Sequence, residues 1–293
     1  MRVIEPRINR NPTAVVKSGV RKGVLIFGLM VMVAGVIATG VSMFRPDHTV
    51  KEMSQSQGVV MAISTQQPPK TKPIIFEGND FKDVYRKAIV AYPNTQEFPQ
   101  VPIISGDAAA DSVIRQVAEA RGFQVTRIPV TALSKTGEAT LSGDTDDLLQ
   151  PLALQGWQNL KAAAKKNGIQ LQLLSAYRSP EWQRNLFLQR LAGNGANAAQ
   201  LAAGGGVPAL NQTLGVTSIP GYSRHHTGYT VDFSCSGVSV FRGSSCDMWL
   251  RKDNYLQAKT YGWIPSYPDG ADEQGPEPEP WEYVWVGRDY LFE

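Results

Sequence analysis

Histidine and cysteine are scarce in this chain: three and two among 293 residues. His48 lies in a polar stretch far from the adjacent pair His225 and His226, so an all-histidine zinc site is all but excluded. Cys235 and Cys246 are too far apart for a zinc knuckle. Charge of one sign is also scarce, with 29 basic against 26 acidic side chains. The basic excess sits in Arg2, Arg7, Arg10, Lys17, Arg21 and Lys22, opposed only by Glu5, and the remaining chain is slightly acidic. The positive balance therefore reports a tail and not a nucleic-acid surface. An apolar content of 42% is ordinary, which excludes a disordered chain and a polytopic membrane protein.

One long uncharged run stands out, Gly23–Phe44. As a helix it would span roughly 33 Å, enough for the ~30 Å hydrocarbon core. Residues 1–22 form the basic tail before it, and the positive-inside rule keeps that tail cytoplasmic. A cleaved signal peptide is the alternative, with small residues at Ala38–Gly40, but the run is long for one. Both readings export the chain from about Pro46 onward. Residues 45–73 are polar and proline-bearing, in the manner of a stalk. In an oxidising compartment Cys235 and Cys246 read as a disulfide closing a short loop, worth roughly 3 kcal/mol by chain entropy; two free thiols are the alternative.

Residues 74–140 form a subdomain or elaboration without a catalytic constellation of their own. It carries two helical patterns, DFKDVYRKAIVAY and DAAADSVIRQVAEARG, and a strand-like FQVTRIPVTAL. Residues 141–293 are patterned more tightly. Asp144–Gly168 predicts a helix opened by capping aspartates and closed at Asn167-Gly168. IQLQLLSAYRS predicts a buried strand with a polar tip, followed by a helix with Ser179 as N-cap and Pro180 first. Gly193–Gly206 reads as a surface loop, and GYSRHHTGYTVDFSC as a turn entering a strand. A helix over DMWLRKDNYLQAKTYG, a short extended WIPSYP and a strand over WEYVWVG complete the order. Helices and strands interleave without βαβ spacing, which predicts α+β: a small antiparallel sheet with flanking helices, preceded by one N-terminal transmembrane helix.

A metal site here must combine a histidine with carboxylates. His225 is followed seven residues later by Asp232, across a turn and onto a strand, a pairing of nitrogen and oxygen suited to zinc. By spacing alone this is a weak signal, and a structural His–Asp hydrogen bond is the more common outcome. The surrounding residues narrow this. SRHHTGYTVDF resembles the S-x-H-x-x-G-x-A-x-D pattern of the VanY-type zinc D-alanyl-D-alanine carboxypeptidases, with Thr230 in the alanine place. SAYRSPEWQ resembles that family's S-G-Y-R-S-x-x-x-Q, with Ala176 for glycine. YGWIPSYPDG and EPWEYVWVG resemble its closing segments.

The resemblance, running from about Asp144 to Arg288, implies a D,D-peptidase-like fold, a zinc cofactor and peptidoglycan stem peptides as substrate. It implies His225 and Asp232 as ligands, Glu279 as general base, and Arg178 as the group that meets substrate carboxylate or oxyanion. Tyr177, Ser223 and Gln183 are its candidate substrate contacts. Together with the apolar run Gly23–Phe44, it predicts a single-pass protein of the bacterial cytoplasmic membrane, with the C-terminal domain in the periplasm or outside. An Arg178 salt bridge capping the strand is the plainer reading of that residue.

The sequence departs from the family at the third ligand. Where the family has a histidine three residues after the base, this chain has Glu282. His226 is a poor substitute, because neighbours entering a strand point to opposite faces. Three readings stay open. Glu282 is the third ligand, on zinc or on a harder ion such as Mn²⁺; or metal is held weakly or not at all, leaving a peptidoglycan-binding or scaffold module; or Glu277 or Glu279 reaches the metal instead. The alternating prolines of QGPEPEPW argue against the last, since each fixes φ. An endopeptidase of the same fold is a further alternative.

Overall fold

The structure is a computed structural model and describes residues 70–142 and 147–293. The run Gly23–Phe44 lies outside the described residues, and among the described ones no helix is long and apolar enough to cross a membrane.

A four-stranded antiparallel sheet forms the centre, in the order β5 (Leu171–Ser175), β6 (Thr230–Cys235), β8 (Glu282–Trp285), β7 (Trp263–Pro265). Two small ribbons flank it: β1 (Thr95–Glu97) with β2 (Arg127–Pro129), and β3 (Ser134–Lys135) with β4 (Leu148–Leu149). Helices α1 (Asn79–Ala91), α2 (Ala108–Ala120), α3 (Pro151–Lys166), α4 (Pro180–Gly193), α5 (Ala198–Ala202), α6 (Val207–Leu214) and α7 (Ser245–Thr260) surround these strands. The α+β class with an antiparallel sheet is thus observed.

Strand pleating sends alternate side chains of β6 and β8 to opposite faces. Phe233 and Tyr283 lie with their rings 5.1 Å apart, and Phe233 stacks on Trp157 of α3 at 5.3 Å. Trp263 closes the same cluster edge-on. All four are fully buried, and this aromatic block is the main core. A second core joins Ile104, Ile114 and Phe123 to Phe187, Leu191 and Leu214. Residues before 140 therefore contribute to both cores. Asn254, left-handed at φ 56, clamps the Phe76 backbone: its Oδ1 accepts from Phe76 N at 3.1 Å, and its Nδ2 donates to Phe76 O at 2.8 Å.

Two expectations change. The helix expected from Asp144 begins at Pro151; Gly143–Asp146 lie outside the described residues, and Leu148–Leu149 pair with Ser134–Lys135 as β4. Proline lacks an N–H and fits only the first turn, so it marks the start. Gly193–Gly206 is not a plain loop: Ala198–Ala202 is helical, opened by a reciprocal Asn197/Gln200 capping box. The expected cap of α4 is present, with Ser179 accepting from Trp182 N. Cys235 and Cys246 are joined by a disulfide.

Candidate metal centre

His225 lies in a 3₁₀ turn, Arg224–Thr227, that leads directly into β6. The turn ends at Gly228, φ 74, where a Cβ would come within 2.9 Å of Leu133 and 3.3 Å of Gln150. Only glycine takes that conformation and that space without strain. The turn is docked on the end of β5 by two imidazole bonds: His225 Nδ1 donates to Ala176 O at 2.6 Å, and His226 Nδ1 donates to Arg178 O at 2.7 Å. His226 Nε2 accepts from Gly221 N at 3.1 Å, so both its nitrogens are occupied. Burial lowers its pKa to about 3 and keeps it neutral. His226 is thus a structural brace outside the metal cluster. The reason is the 3₁₀ turn and its backbone partners, not strand alternation as the sequence suggests.

Asp232 on β6 stands directly opposite Glu282 on β8 in the ladder. Facing residues of an antiparallel pair share one face, with Cβ atoms about 5 Å apart. His225 Nε2 lies 3.4 Å from Asp232 Oδ1 and 3.5 Å from Glu282 Oε2. All three are buried, and their ligand atoms lie within 4.8 Å of one another. His225 Nε2 and Asp232 Oδ1 are buried without a hydrogen-bond partner. A buried polar atom left unpaired costs of order 1–3 kcal/mol. The Nδ1 bond to Ala176 leaves Nε2 as the donor atom, the usual outer-shell arrangement for a ligating histidine. These residues fit a divalent ion with one nitrogen and two oxygen donors.

Each carboxylate has its own guanidinium on the outer oxygen. Arg178 NH2 donates to Asp232 Oδ2 at 2.6 Å and, with Nε, to Ser175 Oγ. Arg224 NH1 donates to Glu282 Oε1 at 3.0 Å. The electrostatics follow. Burial works against charge on Glu282, but His225 and Arg224 outweigh it and hold the carboxyl well below the usual range. Burial and Arg178 oppose protonation of His225, yet the two carboxylates raise its pKa to about 9. Positive charge at Nε2, proton or dication, is what this cluster favours. Glu279 goes the other way: burial, then the charges of Glu282 and Asp232, hold it well above the usual carboxylate range.

Of the residues singled out in the sequence, His225, Asp232 and Glu282 come together, with Glu279 and Arg178 within their electrostatic reach. Glu277 is exposed and outside the cluster. Tyr177 lies between the two carbonyls that receive the imidazoles. Ser223 is buried and its carbonyl accepts from His226 N. Gln183 is buried too, its Nε2 donating to Ser218 O at 2.6 Å while its Oε1 has no partner. Arg224 is the residue that sequence reasoning missed. Its signal was an extra buried acid at 282, which calls for a cation, and an arginine beside the ligand histidine.

An α+β sheet presenting a buried His/Asp/Glu cluster beside a carboxylate of raised pKa is an arrangement suited to metal-assisted hydrolysis. Residues 146–288 match the family described as VanY, D-alanyl-D-alanine carboxypeptidase, and this segment is similar to VanY-type D,D-peptidases. The putative carboxypeptidase YodJ of Bacillus subtilis (strain 168) is 30% identical over 132 residues, 43% of this chain. The match spans only 42% of that relative's length. VanYB in complex with D-alanine-D-alanine is 23% identical, with a TM-score of 0.40, covering 54% of this chain and 79% of that one. A VanY D,D-pentapeptidase mutant from the VanB-type resistance cassette, in complex with Zn(II), is 21% identical with the same TM-score, covering 58% and 90%.

Proposed function

We propose that the protein is a membrane-anchored metallo-carboxypeptidase that removes the C-terminal D-alanine of peptidoglycan stem peptides outside the cytoplasmic membrane. The observation that carries this reading is the buried convergence of His225 Nε2, Asp232 Oδ1 and Glu282 Oε2, whose ligand atoms all lie within 4.8 Å of one another. His225, Asp232 and Glu282 would hold the ion, zinc in the first instance and Mn²⁺ as the harder alternative. When bound, such an ion polarises a carbonyl and lowers the pKa of a water to about 7.

The chain's own groups do the rest. Glu279, with its raised proton affinity, takes a proton from the attacking water and returns it to the leaving amine. Asp232 and Ser175 hold the Arg178 guanidinium in one orientation, and its free N–H edge meets a substrate carboxylate or developing oxyanion. Tyr177, Ser223 and Gln183 are the residues we assign to substrate contact. D-Alanine release from a stem pentapeptide, measured by amino-acid analysis, is the test. Glu279→Ala should lower it by roughly 10²–10⁴-fold while zinc uptake is retained; full turnover in that variant would contradict the assignment.

The pairing of both carboxylates with arginines favours a second reading, a stem-peptide-binding module without turnover. It predicts retention on insoluble peptidoglycan that survives chelation, with no D-alanine released by any divalent ion.

A further inference from the structure

We infer that Arg224 is a positioning residue for the metal centre, and that Arg224 and Glu282 form one unit held in place by the N-terminal segment. This rests on reading His225, Asp232 and Glu282 as the ion's ligands. Glu282 has two oxygens with different duties: Oε1 accepts from Arg224 NH1 at 3.0 Å, which turns Oε2 towards His225 Nε2 at 3.5 Å. Both partners are almost wholly buried, with side chains 12% and 6% exposed. A glutamate side chain has three rotatable bonds, and alone on the end of a strand it would sample several orientations. The guanidinium selects the one that completes the cluster.

The guanidinium is itself fixed on every side. It lies over the Tyr267 ring at 4.6 Å and the Tyr85 ring at 5.3 Å, and its NH2 donates to Gln274 Oε1 at 3.0 Å. Tyr267 and Gln274 belong to the segment between β7 and β8. Tyr85 belongs to α1, outside residues 146–288, so the N-terminal segment supplies one wall of the cage. Stacking between two aromatic faces is a task for arginine, whose flat, weakly hydrated cation a lysine does not reproduce. The same pair settles the charge. Two carboxylates around one imidazole carry two negative charges, and Arg178 and Arg224 cancel one each.

The pairing makes an unusual demand on substitutions. Glu282→His on its own removes the counter-charge from a buried guanidinium, and an uncompensated buried charge is strongly unfavourable. The imidazole is expected to serve only when Arg224 is changed with it.

The test is a double-mutant cycle on the full chain, reading Zn²⁺ affinity by calorimetric titration of the metal-free protein. Arg224→Gln should weaken Zn²⁺ binding at least tenfold, in line with the loss of outer-shell partners elsewhere. In the Glu282→His background the same change should not weaken binding, and the double variant should bind more tightly than Glu282→His alone. Equal losses in both backgrounds, or undiminished binding by Arg224→Gln, overturn the inference. If Arg224→Gln does not fold, Tyr85→Leu carries the test: it leaves the guanidinium and removes one wall, and it should weaken binding severalfold. Unchanged binding in that variant overturns the role of the N-terminal segment. A wild-type chain that takes up no Zn²⁺ overturns the reading of the cluster itself, an outcome distinct from a wild-type chain that binds and an Arg224 variant that binds equally well.

Discussion

The two faces of β6 and β8 come from the same few residues and are built to opposite ends. On one face Phe233 and Tyr283 pack against Trp157 and Trp263, dry and closed. On the other, Asp232 and Glu282 stand opposite each other, with His225 between their inner oxygens and an arginine on each outer one. One residue of displacement along the strand separates a ring in van der Waals contact from a carboxylate aimed at a cation. The apolar face gains from burial outright. The polar face holds an imidazole and two carboxylates in charge contact at 3.4 and 3.5 Å without a hydrogen bond between them, a geometry that a shared cation would complete.

The comparison can be broken from either side. Phe233→Ala should cost about 3–5 kcal/mol of stability through lost burial and the cavity left behind, read as a shifted midpoint in chemical denaturation. Asp232→Asn, a ladder-width away on the other face, should abolish ion uptake, and it also leaves the Arg178 guanidinium without its carboxylate. Phe233→Ala should leave the folded fraction able to take up an ion, and retained uptake in Asp232→Asn would contradict the division of labour.

Lys259 sharpens the contrast more gently. It is a buried cation on the apolar side, over the Phe76 ring, with only Ile74 O and Asn254 Oδ1 as acceptors and no carboxylate. Burial lowers its pKa from 10.5 to about 8. Between those values the unfolded chain binds more protons than the folded one, so stability rises with pH across that window. Below pH 8 both states are protonated and the penalty is fully present. The rise amounts to roughly 3 kcal/mol at most, since the two hydrogen bonds and the ring offset part of the burial. It should disappear in Lys259→Met, followed by urea unfolding at pH 7.5 and pH 10.

The polar face was largely legible in the sequence. The resemblance of SRHHTGYTVDF and EPWEYVWVG to a family pattern implied His225, Asp232 and Glu279, and left Glu282 as one of three readings. Local signals also sufficed for α2, whose Asp107 cap accepts from two amides, and for α4 with its Ser179-Pro180 start. What stayed hidden depends on partners distant in sequence. Arg224 reads as one more basic residue until Glu282 is opposite it, and Tyr85 has no visible function until α1 packs against the sheet. The pairing of Leu148–Leu149 with Ser134–Lys135 is non-local in the same way, and so a strand replaced the expected first turn of α3. His226 went to the expected place for a different reason, because its two hydrogen bonds are to backbone atoms that no spacing rule reveals.

Metal analysis of the purified full chain, with titration of the metal-free protein by Zn²⁺, tests the central claim most directly. The account predicts one tightly held divalent ion per chain, lost in His225→Ala and in Asp232→Asn. No ion in the wild-type protein, or an ion that survives both substitutions, would contradict it.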